Sequence, residues 1–150
     1  MTDIEIRRAT EDDVPAIVTL LADDELGMTR ESPDDLVPYL EAFAAIDADH
    51  SEFLAVAVRA GEVIGTLQLS MLPGLSRKGA LRAQIEGVRV AAATRNSGLG
   101  QILIRWAIDE ARSRGCVLVQ LTSDKARTDA HRFYERLGFM ATHEGYKLSL

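Results

Sequence analysis

The sequence predicts one α/β domain, a mixed but mostly antiparallel twisted sheet with helices on both faces, and three observations carry that expectation. Segments of strand period and helix period alternate along the chain, with no linker, repeat or low-complexity stretch between them. Two runs rich in Val, Leu and Ile, Glu52 to Ala60 and Glu62 to Leu72, are joined through Ala60-Gly61, the pattern of an antiparallel hairpin. The length of 150 residues, with 47% apolar and 27% charged composition, suits a single globular domain and excludes disordered, collagenous and disulfide-scaffold classes.

Asp3 to Ala9 sets Ile4 and Ile6 between Asp3, Glu5 and Arg7, the alternation of a half-buried first strand. Thr10 to Asp13 then supply cap oxygens and first-turn acids ahead of Val14, Ile17, Val18 and Leu21, a helical stripe that puts Pro15 in the first turn. Asp23 to Pro33 is polar, contains Gly27 and reads as a loop, whereas Asp34 to Ala48 repeats Leu36, Leu40, Phe43 and Ile46 at helical spacing. After the hairpin, Pro73 to Gly79 reads as a loop. Leu81 to Val90 resumes a strand in which Gln84, Glu86, Val88 and Val90 share one face, unless Gly87 forms a bulge and changes that parity.

From Leu99 to Arg114 the polar residues Gln101, Arg105, Asp109 and Arg112 form only a narrow stripe, which predicts a helix buried over much of its surface, Trp106 included. Gly115 ends it, and Val117, Leu118, Val119 and Leu121 read as a short central strand. A last helix puts Ala126, Ala130, Phe133 and Leu137 on one face and stops at Gly138. Phe139 to Thr142 and Tyr146 to Leu150 are expected to pair across His143-Glu144-Gly145.

Seventeen Lys and Arg against 23 Asp and Glu leave a net charge of −6, which disfavours a nucleic-acid partner. The longest apolar run, Phe53 to Val58, falls far short of the roughly 18 residues of a membrane span, and the opening MTDIEIRRAT has no apolar leader core. No membrane partner is expected. The lone Cys116 has no second thiol for a disulfide or a zinc pair, so the chain reads as a cytoplasmic protein without a metal centre, with Cys116 as core packing.

Arg95-Asn96-Ser97-Gly98-Leu99-Gly100 lies between a predicted strand and a predicted helix, where unpaired amides and the positive end of the helix dipole favour an anion. It is neither a Walker loop nor the dinucleotide Gly-x-Gly-x-x-Gly, and a tight turn relieved by glycines is the plain alternative.

Three segments in fixed order add context: Gln84-Ile85-Glu86-Gly87-Val88-Arg89-Val90, then Arg95 to Gly100 in the form Arg/Gln-x-x-Gly-x-Gly/Ala, then Ala130-His131-Arg132-Phe133-Tyr134-Glu135-Arg136-Leu137-Gly138-Phe139. Together with the opening Ile6-Arg7-Arg8-Ala9-Thr10, they make the chain resemble, over nearly its whole length, the GNAT superfamily of acetyl-CoA-dependent N-acetyltransferases. The resemblance implies a GNAT-type sheet and acetyl transfer from acetyl-CoA to the primary amine of a small molecule by direct attack. It places the CoA pyrophosphate on the amides of Asn96, Ser97, Gly98, Leu99 and Gly100, with Arg95 adding charge. The pantetheine would then lie along the backbone of Val88 and Val90, the Val88 amide polarising the thioester oxygen.

Glu86 is the expected acceptor of the amine proton, through water if burial raises its pKa, and Tyr134 the expected donor to the leaving sulfur. The plain readings are an ion pair of Glu86 with Arg82 or Arg89, and Tyr134 as a rim aromatic. Asp124 stands where the family often has an Asn touching pantetheine, and Arg127 could reach a CoA phosphate or lie in solvent. His131 reads as a surface residue and His143-Glu144 as turn chemistry. The acidic segment Asp23 to Glu31 is either a rim for a cationic amine or a solvated surface, and Arg77, Lys78 and Arg82 form a basic cluster suited to an acceptor carboxylate or a second subunit. A homodimer is a family-level expectation. A protein or peptide N-terminus, another acyl donor, and a non-catalytic acyl-CoA sensor are the alternatives.

Overall fold

The computed structural model describes residues 3–150, in two compact units, Met1–Gln120 and Leu121–Leu150. The first unit is built on a sheet of order β1-β2-β3-β4-β5. Its strands are β1 (Glu5–Arg8), β2 (Glu52–Arg59), β3 (Glu62–Pro73), β4 (Leu81–Val90) and β5 (Leu118–Leu121), the last crossing into the second unit. Strands β1 to β4 are antiparallel neighbours. Between β4 and β5 runs α5 (Leu99–Ser113), the crossover that a parallel neighbour needs, which makes the sheet mixed.

Ahead of β2 come α1 (Val14–Ala22), α2 (Glu25–Arg30) and α3 (Val37–Asp47). The entry to α1 is tied locally. The Thr10 amide donates to Asp13 Oδ2 at 2.8 Å, and the Arg7 guanidinium donates to both Asp13 oxygens at 2.7 and 3.1 Å. Pro15 sits in the first turn, as expected. The segment read as a polar loop contains α2, because Asp24 Oδ1 caps the Gly27 amide at 2.5 Å while Glu25 and Arg30 match the two ends of the helix dipole. Gly27 is there for space, since a Cβ would lie 1.9 Å from the Leu21 carbonyl oxygen.

The hairpin turn matches expectation, with Ala60 and Gly61 both at positive φ, +50° and +79°. Between β3 and β4 the single turn α4 (Ser76–Gly79) holds Arg77 and Lys78 at positive φ.

The two faces of this sheet differ in chemistry. On one, Phe53, Ala55, Ala57, Leu67, Leu69, Ala83 and Ile85 share a side with Gly65, where a Cβ would meet the Leu103 side chain of α5 at 2.9 Å. Helix α5 buries Leu99, Leu103, Ile104, Ala107 and Ala111. As expected, its exposed residues form a narrow polar stripe, Gln101, Arg105, Asp109 and Arg112 with Ser113 at the end, and the rest of the helix is buried or half-buried. Trp106 is half-buried, its ring 5.0 Å from Phe53. On the other face, Ile17, Val18 and Phe43 from α1 and α3 cluster over Val56, with Leu54 and Val58 packed alongside. Further across, this face turns polar at Thr66, Gln68, Ser70, Gln84 and Glu86.

The second unit contains α4's successor in the helix series after α5, namely α6 (Thr128–Arg136), closed by Gly138 at φ +100°. Phe133 stacks edge-to-face on Tyr134, and Tyr134 on Phe139, with centroids 5.3 and 5.9 Å apart. The expected terminal hairpin is absent. Residues 139–150 form no strand, and Met140, Tyr146 and Leu148 are exposed. Alternation alone is insufficient here, since a two-stranded hairpin needs a third strand or a helix against its apolar side to be stable in water.

Candidate active site

The site is set by an irregularity in β4. Thr66 of β3 opposes Arg89, whereas Gln68 opposes Glu86, so Gly87 and Val88 together span the space facing Leu67. Gly87 has φ +62°, a bulge conformation natural to glycine, so that two residues of β4 face one of β3. The bulge also turns the side chains. Arg89 joins the face of Gln84 and Glu86, while Val90, paired with Gly65, points to the α5 side. The common face expected for Glu86, Val88 and Val90 is therefore broken at Gly87.

Beside the bulge, Ile17, Leu21, Leu54, Gln68, Glu86 and Gly87 line a pocket of about 130 Å³. Glu86 is exposed and accepts a hydrogen bond from Gln84 Nε2 at 2.6 Å, so neither the burial nor the arginine partner considered from sequence is found. A larger depression of about 560 Å³, between the end of β1 and α3, is lined by Arg8, Ala9 and Thr10 of the opening motif and by none of the candidate catalytic or cofactor-binding residues.

The loop after β4 has the geometry of an anion cradle. Asn96 and Gly98 take φ +64° and +91°, and the fifteen-residue α5 starts at Leu99 with no side chain capping it. Ser97 turns inward, its amide and hydroxyl both donating to the Thr94 carbonyl. A Cβ at Gly98 would touch nothing within 4 Å, so the glycine answers to its backbone angle and leaves the space ahead of the helix open. Open space, first-turn amides and the helix dipole fit a pyrophosphate.

Two ion pairs join this region to α1 and α2. Arg89 Nε lies 3.2 Å from Asp24 Oδ2, with both side chains about four-fifths buried. Arg95 Nη2 donates to the Asp23 carbonyl at 3.0 Å and lies 3.4 Å from Asp23 Oδ2. Arg95 therefore has a protein partner as well as a place near the cradle. Tyr39 donates to Glu31 at 2.9 Å, so Asp23, Asp24 and Glu31 have partners within the chain, while Asp23 and Glu25 remain exposed as a solvated surface would be. Local patterning could not find these pairs, because their partners lie about seventy residues apart for Arg95.

In the second unit, Asp124 Oδ1 accepts from the Ala126 amide at 2.9 Å, a turn-forming role in this structure. Arg127 is half-buried at the start of α6. His131, expected at the surface, is half-buried, its Nε2 2.9 Å from the Asp124 carbonyl oxygen. Tyr134 is half-buried between its two aromatic neighbours. Cys116, in the first unit, sits 3.8 Å from the Met71 sulfur, and burial pushes its thiol pKa up, in keeping with packing rather than reactivity. Among the described residues, no group of His, Cys, Asp and Glu is arranged to hold a metal ion, and no helix is long and apolar enough to cross a membrane.

Comparison with known proteins decides the family. A model of the Acetyltransferase (GNAT) family matches residues 15–139. The chain belongs to this family. It is 31% identical to the aminoalkylphosphonate N-acetyltransferase of Salmonella typhimurium over 93% of this chain and 86% of that one. It is 30% identical to the glucosamine 6-phosphate N-acetyltransferase of Trypanosoma brucei brucei, over 100% and 98% of the two chains. Among solved structures, a transcriptional regulator from Bacillus halodurans C-125 aligns with TM-score 0.95 at 48% identity, over 98% of this chain and 99% of that one. As a GNAT protein the chain is an acyltransferase, and the family's donor is acetyl-CoA.

Proposed function

We propose that this protein is an N-acetyltransferase that moves the acetyl group of acetyl-CoA to the primary amine of a small molecule. The observation that carries the reading is the pairing of an open β4 bulge with an uncapped helix start one loop further on. Bound acetyl-CoA supplies the activated acetyl group. The amides of Asn96, Gly98, Leu99 and Gly100 would hold its pyrophosphate, and Arg95 can exchange an exposed ion pair with Asp23, of small worth in water, for a phosphate oxygen. The backbone of Val88, at the bulge, and of Val90 would offer hydrogen bonds to an extended chain, and the Val88 amide suits an oxygen that gains negative charge.

Glu86, exposed on the rim of the small pocket, accepts the proton that the attacking amine must shed, directly or through one water. Tyr134 holds the motif position of the acid that protonates the departing sulfur; its role rests on the family motif. Asp124 and Arg127 stand in the same motif-based relation to the cofactor. We further propose that the protein works in the cytoplasm as a homodimer, which sedimentation at working concentration would refute by giving a monomer.

Two measurements test the reading. Saturation with acetyl-CoA at about 100 times its Kd should add about 2.7 kcal/mol of stability, roughly 5–10 °C in Tm for a domain of this size. CoA release, followed with a thiol reagent over a panel of amines, should then be lost or sharply reduced in Glu86→Gln and Tyr134→Phe. Stabilisation without turnover of any amine would replace the reading with an acyl-CoA-binding regulatory protein, closer to the Bacillus halodurans relative. Equal turnover in both variants would remove the two proton-transfer roles.

A further inference from the structure

The polar half of the sheet face over β3 to β5 forms a bonded chain of side chains. Gln84 Nε2 donates to Glu86, Gln120 Nε2 donates to Gln84 Oε1 at 2.9 Å, and Arg82 Nη1 reaches Gln120 Oε1 at 3.5 Å. Beside it, Glu52 Oε1 accepts from Gln68 Nε2 at 2.7 Å and from Ser70 Oγ at 2.6 Å. Strand register sets Gln68 next to Glu86, and Ser70 next to Gln84. The row is half-open: Glu86 is exposed, Arg82, Gln84 and Gln120 are half-buried, and Ser70 is buried, so polar side chains here can meet a solute as well as one another.

The charges along this row are unequal. Glu86 ends it at the pocket beside the bulge, and Arg82 ends it at the start of β4. Arg82 is half-buried. Its hydrogen bond goes to a neutral amide oxygen, and among the described residues it has no carboxylate at ion-pair distance. A half-buried guanidinium with no carboxylate partner favours an anion, and its planar fork matches a carboxylate or a phosphorus oxyanion. Gly74, in the preceding loop, carries no side chain to close this end, and a Cβ there would come within 3.9 Å of Arg82 Nη2.

We infer that Arg82 selects the acceptor, and that the substrate is an amine that also carries an anionic group. The amine proton goes to Glu86, the anion to Arg82, and Gln84 and Gln120 supply hydrogen bonds between them. Four residues of strand span about 13 Å and the arginine stem shortens the gap, so an anion roughly 5–10 Å from the amine fits. This inference rests on the acetyltransferase reading and narrows it to a substrate class. The Salmonella typhimurium and Trypanosoma brucei brucei relatives bear names of that class, an aminoalkylphosphonate and an amino-sugar phosphate.

The test uses matched acceptors with acetyl-CoA and the full chain: glucosamine 6-phosphate against glucosamine, 3-aminopropylphosphonate against propylamine, and 4-aminobutyrate against butylamine. The wild type should prefer the anionic member of at least one pair by tenfold or more in kcat/KM. The phosphorus and carboxylate pairs distinguish the two kinds of anion. Arg82→Gln should cut that ratio at least tenfold, chiefly through KM, and Arg82→Lys should recover part of it. An unchanged ratio in Arg82→Gln, or a wild-type preference for neutral amines, overturns the inference while leaving the acetyltransferase reading intact. Should acetyl-CoA bind but no amine turn over, the transferase reading fails by itself. Calorimetric titration of 3-aminopropylphosphonate and glucosamine 6-phosphate into the CoA complex then decides: binding lost in Arg82→Gln supports the anion site, and no binding to wild type overturns it.

Discussion

Asp13 shows how one side chain holds the entry to α1. The Arg7 guanidinium beside it holds its carboxyl pKa below the ordinary carboxylate value, opposed by burial and helped by the Thr10 amide. The carboxylate is thus favoured in the folded chain, so its contribution is complete above the ordinary Asp pKa of about 4 and drains away as pH falls through the lowered value. Asp13→Asn should lose about 1–3 kcal/mol at pH 7, as a buried, charge-assisted pair does. In urea melts the gap from wild type should narrow as the pH falls below about 4; a constant gap down to pH 2 would contradict this account. Gly98 makes the opposite case. Gly98→Glu has open space but must hold a side chain at φ +91°, at a cost of about 1–2 kcal/mol, and it brings a negative charge toward the cradle. The variant should stay folded yet lose its thermal shift with acetyl-CoA, and unchanged cofactor affinity would refute the loop's role. The glycines of this loop were legible in the sequence as possible turn or cradle residues; what they answer to was decided only by the absence of any neighbour around Gly98.

At the scale of elements, the bulge in β4 and the packing of α5 each depend on one glycine. Gly87→Ala has room, with Leu21 the nearest atom at 3.8 Å, but φ +62° makes it strained by about 1–2 kcal/mol. It should weaken acetyl-CoA binding along with stability, while Gly87→Asn, more tolerant of that conformation, should recover part of both in a thermal-shift titration. A Gly87→Ala protein with unaltered stability and cofactor affinity would show that the bulge does not require glycine. Gly65→Ala places a methyl group 2.9 Å from Leu103 and 3.3 Å from the Arg89 carbonyl oxygen, so overpacking should cost about 1–3 kcal/mol in chemical denaturation. The limits of most elements followed from local pattern: β4 runs over the residues expected, and the Ala60-Gly61 turn joins β2 to β3. The misses have physical causes. Helix α2 hides in a polar segment because a cap at Asp24 and a close approach at Gly27 stabilise it, and the terminal hairpin fails to form because alternating side chains do not by themselves supply a surface to bury.

At the scale of the molecule, acetyl-CoA should protect the backbone amides of residues 86–101 from hydrogen exchange, since its proposed contacts are concentrated there; protection confined to other segments would overturn the placement of the cofactor. The sequence by itself determined strands β1 to β5 and helices α1, α3, α5 and α6 in their order, the single cysteine, the acidic charge balance and the GNAT family, because these rest on local periodicity, composition and motifs. It also named Glu86, Gly87 and the loop from Arg95 to Gly100 as candidate site residues. Only the tertiary structure decided which faces those residues take. The bulge sends Arg89 to Asp24 and Val90 to the α5 side, Asp23 and Asp24 pair with distant residues and Glu31 with Tyr39, and Arg82 joins Gln120, Gln84 and Glu86 across two strands. The reason is range: hydrophobic period and turn chemistry act over a few residues, whereas a half-buried charge is defined by partners brought in from distant parts of the chain.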